Sequence, residues 1–180
     1  HAMRHTLHAN LIGICGGYQI LGVEIRDEQH IESKQHSALG LGLLSIVTDF
    51  GKEKVLAQVE AKEISTGLEV CGYQIHHGQT KSLKKSKPVF SITRQQGKDV
   101  HGLDGTVSGD ARVWGTYIHG VFDKDAFRRD FLNRLRAKKG LNLINKKSVF
   151  DLDGELDKLA GLLRDNLDMG SVRKILLEGI

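Results

Sequence analysis

Cys15 stands in the run Leu11-Ile12-Gly13-Ile14-Cys15-Gly16-Gly17-Tyr18-Gln19, a Gly-x-Cys-x-Gly pattern behind a short apolar segment. This spacing describes a nucleophile on a tight turn between a strand and a helix. Glycines on both sides let the backbone take the strained dihedral angles of such an elbow and leave room for a substrate to approach the sulfur. The Gly16 N–H would face a developing oxyanion, and the N-terminus of the following helix would favour thiolate over thiol. Glycine-rich turns also surround buried, inert cysteines, so the pattern acquires chemical meaning only with a partner.

A thiol nucleophile needs a base. Of the nine histidines, His119 in Gly115-Thr116-Tyr117-Ile118-His119-Gly120-Val121-Phe122-Asp123 is the best placed. Ala111 to Ile118, rich in Val, Trp, Thr, Tyr and Ile, reads as a strand, and Gly120 releases the chain before a helix that begins near Asp123. Strand ends are where α/β enzymes hold their working side chains. A histidine there could also satisfy a buried backbone group. With an elbow cysteine in the same chain, a Cys-His pair distant in sequence and adjacent in the fold is the better reading.

The elements that must position this pair read as a strand at Leu11–Ile14, a short helix from Tyr18, and strands near Gly42–Val47, Val55–Ala61, Glu69–His76, Val89–Thr93 and Arg112–Ile118. Helices dominate the end of the chain. Phe127, Phe131 and Leu135 recur every fourth residue, with Gly140 as the stop. Leu156, Leu159, Ala160, Leu163 and Leu167 form a second apolar stripe that reads as a core face, and a last helix runs from Ser171 as N-cap to Leu177. Asp123 reads as the N-cap of the helix that follows His119. Cys71 reads as a small buried hydrophobe on a strand. In His76-His77, adjacent strand residues point to opposite faces, so one faces the cleft, the other packs or is solvated, and the pair does not read as a metal site.

The 180 residues, 39% hydrophobic, suffice for one soluble α/β domain. No apolar run spans a bilayer and no secretory signal is visible, so a cytoplasmic protein with no membrane partner is expected. The net charge is +4 and the sharpest basic cluster is Lys81, Lys84, Lys85 and Lys87, with no aromatic residue interleaved. That pattern fits a solvated loop rather than a nucleic-acid surface. His1-Ala2-Met3 reads as an expression-tag remnant, with the domain running from residue 4 to 180.

Together with Gly72-Tyr73-Gln74-Ile75-His76-His77-Gly78, the motifs around Cys15 and His119 resemble the class I glutamine amidotransferase domain of the cobyric acid synthase family. The similarity extends through Gly40-Leu41-Gly42-Leu43-Leu44 and the tail from Leu159-Ala160 to Leu167-Asp168-Met169. The resemblance implies an α/β, flavodoxin-like three-layer fold with a mixed sheet. It implies that Cys15 attacks the side-chain amide of glutamine, forming a γ-glutamyl thioester and releasing ammonia while His119 shuttles the proton. Gly16 would supply an oxyanion donor, and Gln19, Tyr73 and Gln74 would help hold the glutamine. Three departures stand out: Val121 occupies the position where many class I members carry a Glu that orients the histidine, Gln74 stands where the family usually has Glu, and only a few residues precede the strand that delivers Cys15. The chain therefore resembles an N-terminally truncated amidotransferase domain. The synthetase domain, with its ATP and Mg²⁺, would lie outside it, and the truncated edge could pair with a second copy into a homo-oligomer. By resemblance the ammonia goes to side-chain carboxylates of a corrinoid. A related acceptor (the cobyrinate diamide reaction or a cell-wall lipid precursor), a non-catalytic docking module and a general thiol hydrolase are the other readings.

Overall fold

A computed structural model describes residues 9–148 and 151–179; the tag-like residues 1–3 lie outside them. Residues 1–145 and 146–180 are two compact units. In the first, β1 (Leu11–Ile14), α1 (Gly16–Leu21), β2 (Glu24–Arg26), β3 (Ser37–Leu39), β4 (Ile46–Glu63), β5 (Glu69–Ser82), β6 (Phe90–Gln95), β7 (Lys98–Asp104), β8 (Thr106–Val107), β9 (Val113–Thr116) and α2 (Asp125–Lys138) follow in order. The expected α/β class with mixed pairing is found, with the strands divided between two sheets. One has the order β1-β9-β8, and the other the order β3-β2-β4-β6-β7 with β5 paired to β4. In the first sheet β1 and β9 are parallel, in register from Leu11 opposite Val113 to Ile14 opposite Thr116.

The two strands expected near Gly42–Val47 and Val55–Ala61 are one long strand. β4 carries its irregularity between Phe50 and Val55, where the register against β5 shifts. Beyond that bulge the strand alternates strictly, with Ala57, Val59 and Ala61 buried and Leu56, Gln58, Glu60 and Lys62 exposed. This is the period-2 pattern of a sheet with one face on the core. The core gathers those residues with Val70, Phe90, Ile92, Trp114, Ile118, Val121 and Phe127, with Phe131 packed against it. A second cluster of Tyr18, Leu21, Leu44, Ile46, Val113 and Tyr117 lies under α1. Burial of such side chains contributes about 1.5–3 kcal/mol each, which fixes β9 and α1 against the sheets.

Several boundary expectations are corrected. Asp123 does not cap α2: the N-cap is Lys124, with no side-chain cap bond, and the helix starts at Asp125. Asp123 instead closes a turn, its N–H donating to the Gly120 carbonyl at 2.8 Å. The second unit consists of α3 (Leu152–Asn166) and α4 (Met169–Glu178). Ser171 is not the cap of α4: the Asp168 carboxylate accepts from the N–H groups of Gly170 and Ser171. A carboxylate accepts these bonds better than a hydroxyl and complements the helix dipole, and the Ser171 hydroxyl itself donates to Asp168 at 2.7 Å. The expected apolar stripe of Leu156, Leu159 and Leu163 lies along α3. Cys71 is half-buried rather than buried.

Candidate active site

Cys15 sits at the junction of β1 and α1 with φ 54° and ψ −115°. A side-chain-bearing residue in that region stores on the order of 1–3 kcal/mol of strain and persists only where its surroundings fix it. Those surroundings are visible. The Cys15 N–H donates to the Thr116 carbonyl at 2.9 Å, extending the β1–β9 ladder by one residue. Gly13 is required because a Cβ there would run into the Gly17 carbonyl and the Leu21 side chain. A Cβ at Gly16 or Gly17 would meet nothing within 4 Å, so the start of α1 is open at both glycines. The Gly16 N–H lies in the first turn of α1, where no helical carbonyl is available to it. Cys15 Sγ lies 3.5 Å from the carbonyl oxygen of Ile75.

His119 follows the end of β9 and is locked to β5. Tyr73 and His119 exchange backbone hydrogen bonds, Tyr73 N–H to the His119 carbonyl at 3.2 Å and His119 N–H to the Tyr73 carbonyl at 2.8 Å. Their rings stack, with centroids 4.8 Å apart and planes 5° from parallel. His119 Nε2 is buried and has no hydrogen-bond partner. A buried ring nitrogen without a partner is costly unless something else uses it. Val121, two residues on, is 1% exposed within the apolar core; a carboxylate at that position would be buried there.

Cys15 and His119 are thus both anchored along residues 73–75 of β5, Cys15 through Ile75 and His119 through Tyr73. Gln19 and Gln74 point elsewhere. Gln19 is 6% exposed and donates through Nε2 to the Tyr117 hydroxyl at 3.3 Å. Gln74 is 7% exposed and donates through Nε2 to Asp104 Oδ1 at 3.0 Å. Tyr73 remains accessible, as alternation along β5 requires. A hydroxyl-lined cavity of ≈ 260 Å³ adjoins Tyr117, bordered by Tyr18, Thr80 and Asp104. Sequence reasoning missed Asp104, whose one signal was the Asp104-Gly105 pair between two strand-like segments.

The two adjacent histidines part as alternation predicts. His77 Nδ1 lies 3.2 Å from the Gly51 carbonyl. His76 turns toward Tyr117, its ring stacked at 3.7 Å, and its Nδ1 lies 2.7 Å from the Gly78 carbonyl. A carbonyl only accepts, so Nδ1 carries the hydrogen and Nε2 is left as an acceptor. Burial holds the His76 imidazole below the ordinary histidine value, assisted by His119 and His77 nearby and opposed by the Gly78 bond. A base whose folded value is depressed takes up its proton less readily when folded than when unfolded. Its contribution to stability is therefore fully present above about pH 6.5 and is lost as pH falls below that value. In His76→Gln the drop in melting temperature between pH 7.5 and pH 5 should be shallower than in the wild type. Parallel pH dependences in thermal melts of the two proteins would contradict this.

A parallel strand pair delivering a cysteine elbow, with a histidine bridged antiparallel to β5, fits an α/β protein of the class I glutamine amidotransferase type. The chain belongs to the CobB/CobQ-like glutamine amidotransferase domain family, which it matches over residues 2–127. It is 43% identical over 176 residues to a cobyric acid synthase of Clostridium botulinum (strain 657 / Type Ba4), covering 96% of this chain and 36% of that protein. It is 43% identical over 179 residues to a cobyric acid synthase of Dehalococcoides mccartyi, covering 95% of this chain and 35% of that protein. With the adenosylcobalamin biosynthesis bifunctional protein CobDQ of Leptospira interrogans it shares 41% identity over 172 residues, 95% of this chain and 19% of that protein. The chain spans about a third of the length of the cobyric acid synthases it matches. Among the described residues no helix is long and apolar enough to cross a membrane.

Proposed function

We propose that the chain hydrolyses glutamine through Cys15 and supplies ammonia for amidation. The observation that carries this is the strained elbow at Cys15, φ 54° and ψ −115°, whose sulfur meets the Ile75 carbonyl two residues along β5 from Tyr73, the residue that holds a histidine with a buried, unpaired Nε2. Sγ attacks the γ-carbonyl carbon of glutamine and its proton passes to His119 Nε2. The Gly16 N–H stabilises the oxyanion that forms. When that intermediate collapses, the C–N bond breaks, His119 returns the proton to the nitrogen, and ammonia leaves a γ-glutamyl thioester. Water, deprotonated by His119, then attacks the thioester to give glutamate and restore the thiol. Tyr73, exposed and stacked on His119, supports the glutamine, whereas Gln19 and Gln74 act from beneath the site.

By the same reading the ammonia reaches carboxylates of a corrinoid, as the names of the relatives suggest. Activation by ATP and Mg²⁺ belongs to the part of the longer proteins that this chain does not include. Among the described residues no group of three or more His, Cys, Asp or Glu side chains is placed to hold a metal ion, and no step above passes through one. The test is covalent labelling with a diazoketone analogue of glutamine, followed by peptide mapping. A single adduct on Cys15, slowed by added glutamine, is the expected result. An adduct on Cys71, or labelling indifferent to glutamine, would reject the reading in favour of a general thiol hydrolase or a docking module.

A further inference from the structure

The end of β9 is gripped by a buried carboxylate that the steps above do not use. Asp104, the last residue of β7, is 6% exposed. Its Oδ1 accepts from Gln74 Nε2 at 3.0 Å, its Oδ2 accepts from the Thr116 hydroxyl, and the Tyr117 N–H lies 3.3 Å from both oxygens. The Gly105 N–H contributes as well. Thr116 Oγ1 itself accepts from the Ile118 N–H at 3.0 Å, which leaves its own hydrogen for Asp104. Burial pushes the carboxyl above its ordinary value, opposed by the bonds from Thr116, Tyr117, Gln74 and Gly105. Each of these neighbours donates, so the ionised form is the one this setting satisfies.

The groups that Asp104 holds are the ones that fix both reactive side chains. The Thr116–Tyr117 peptide gives its N–H to Asp104 and accepts the Cys15 N–H on its carbonyl at 2.9 Å. Two hydrogen bonds on opposite ends of one peptide group polarise and strengthen each other. Gln74 lies between Tyr73, which is paired and stacked with His119, and Ile75, whose carbonyl faces Cys15 Sγ. One carboxylate therefore reaches the backbone of the elbow through a single peptide, and β5 at His119 through a single side chain. It also ties the two sheets together, since β9 belongs to one and β5 and β7 to the other.

We propose that Asp104 is the positioning residue of this site, holding Thr116–Tyr117 and Gln74 so that Cys15 and His119 keep their mutual geometry. The proposal rests on Cys15 being the glutaminase nucleophile. The test compares two reagents on Cys15. Iodoacetamide needs only an accessible thiol, whereas a diazoketone analogue of glutamine needs the thiol, the histidine and the glutamine subsite in register. In Asp104→Ala, the ratio of diazoketone to iodoacetamide labelling rates should fall at least about tenfold, as expected when reacting groups move by a fraction of an ångström. Asp104→Asn should recover most of that ratio, because its oxygen can still accept from Thr116 and Tyr117 while the Gln74 amide turns over to accept from its NH₂. A merely structural residue would change both labelling rates together and leave the ratio alone. If Asp104→Ala does not fold, Thr116→Val, which removes the hydroxyl that donates to Asp104 and accepts from the Ile118 N–H, takes its place and should lower the ratio in the same sense. An unchanged ratio in the folded variant, or no recovery with asparagine, overturns the positioning role. A wild-type protein that reacts with iodoacetamide but not with the diazoketone defeats the nucleophile reading itself, and the positioning role falls with it.

Discussion

Replacing Cys15 by alanine is expected to abolish glutamine hydrolysis, by at least about 10⁴ in kcat, because a nucleophile and its base act as one unit. The fold should survive, since the Cys15 backbone and Gly13 fix the elbow and the sulfur adds only its 3.5 Å contact with the Ile75 carbonyl. Alanine lacks the thiol and keeps the Cβ, so the strained φ of 54° costs the variant what it costs the wild type. His119→Asn should give nearly the same loss, and the double variant should be little worse than either alone. If the proposed function holds, a cobyric acid synthase carrying this domain should continue synthesis from added ammonium with either substitution. The measurement is glutamate release alongside ammonia-dependent product formation. Normal glutamine use by Cys15→Ala would remove the nucleophile assignment, and simultaneous loss of ammonia-dependent synthesis would show that the substitution had damaged structure.

The elbow at Cys15 and the strand end before His119 were legible because backbone geometry is written in the residue types. A cysteine flanked by glycines announces a turn that other residues cannot make, and a histidine between a β-branched run and a glycine announces a strand end. The sheets were less legible. β4 continues across the bulge after Phe50, where Gly51-Lys52-Glu53-Lys54 reads as a break because its side chains are largely exposed on both faces. β7 was missed for the same reason: in Lys98-Asp99-Val100-His101-Gly102-Leu103-Asp104 only Asp104 is buried, so no apolar alternation marks the strand. The burial of Gln19 and Gln74 was not legible, because motif position says nothing about which face a side chain takes. Their partners, Tyr117 and Asp104, are distant in sequence and became visible only in three dimensions. The cap of α4 shows the same limit on a smaller scale, since Asp168 and Ser171 are both good N-caps and only geometry decides between them.

The glycine of the second motif provides the sharpest structural test. A Cβ at Gly72 would overlap the carbonyl oxygen of His119 and come within 3.0 Å of Ile118 Cγ2. The obstacle is backbone, which cannot swing aside as a flexible side chain would. In Gly72→Ala, β5 and the chain at His119 must therefore separate, straining the two Tyr73–His119 backbone bonds of 3.2 and 2.8 Å and the stacked rings beside them. Overpacking of this kind costs about 1–3 kcal/mol, and each weakened hydrogen bond adds up to about 1 kcal/mol more. The displaced imidazole should lower glutamine turnover by on the order of 10², the penalty of an ångström-scale misplacement, although Cys15 and its elbow are untouched. Gly109→Ala, where the added methyl meets nothing within 4 Å, should change neither stability nor turnover. Denaturant unfolding and glutaminase kinetics on the two variants decide the matter. Wild-type behaviour in Gly72→Ala would mean that β5 does not hold His119, and that the base is positioned by the end of β9 alone.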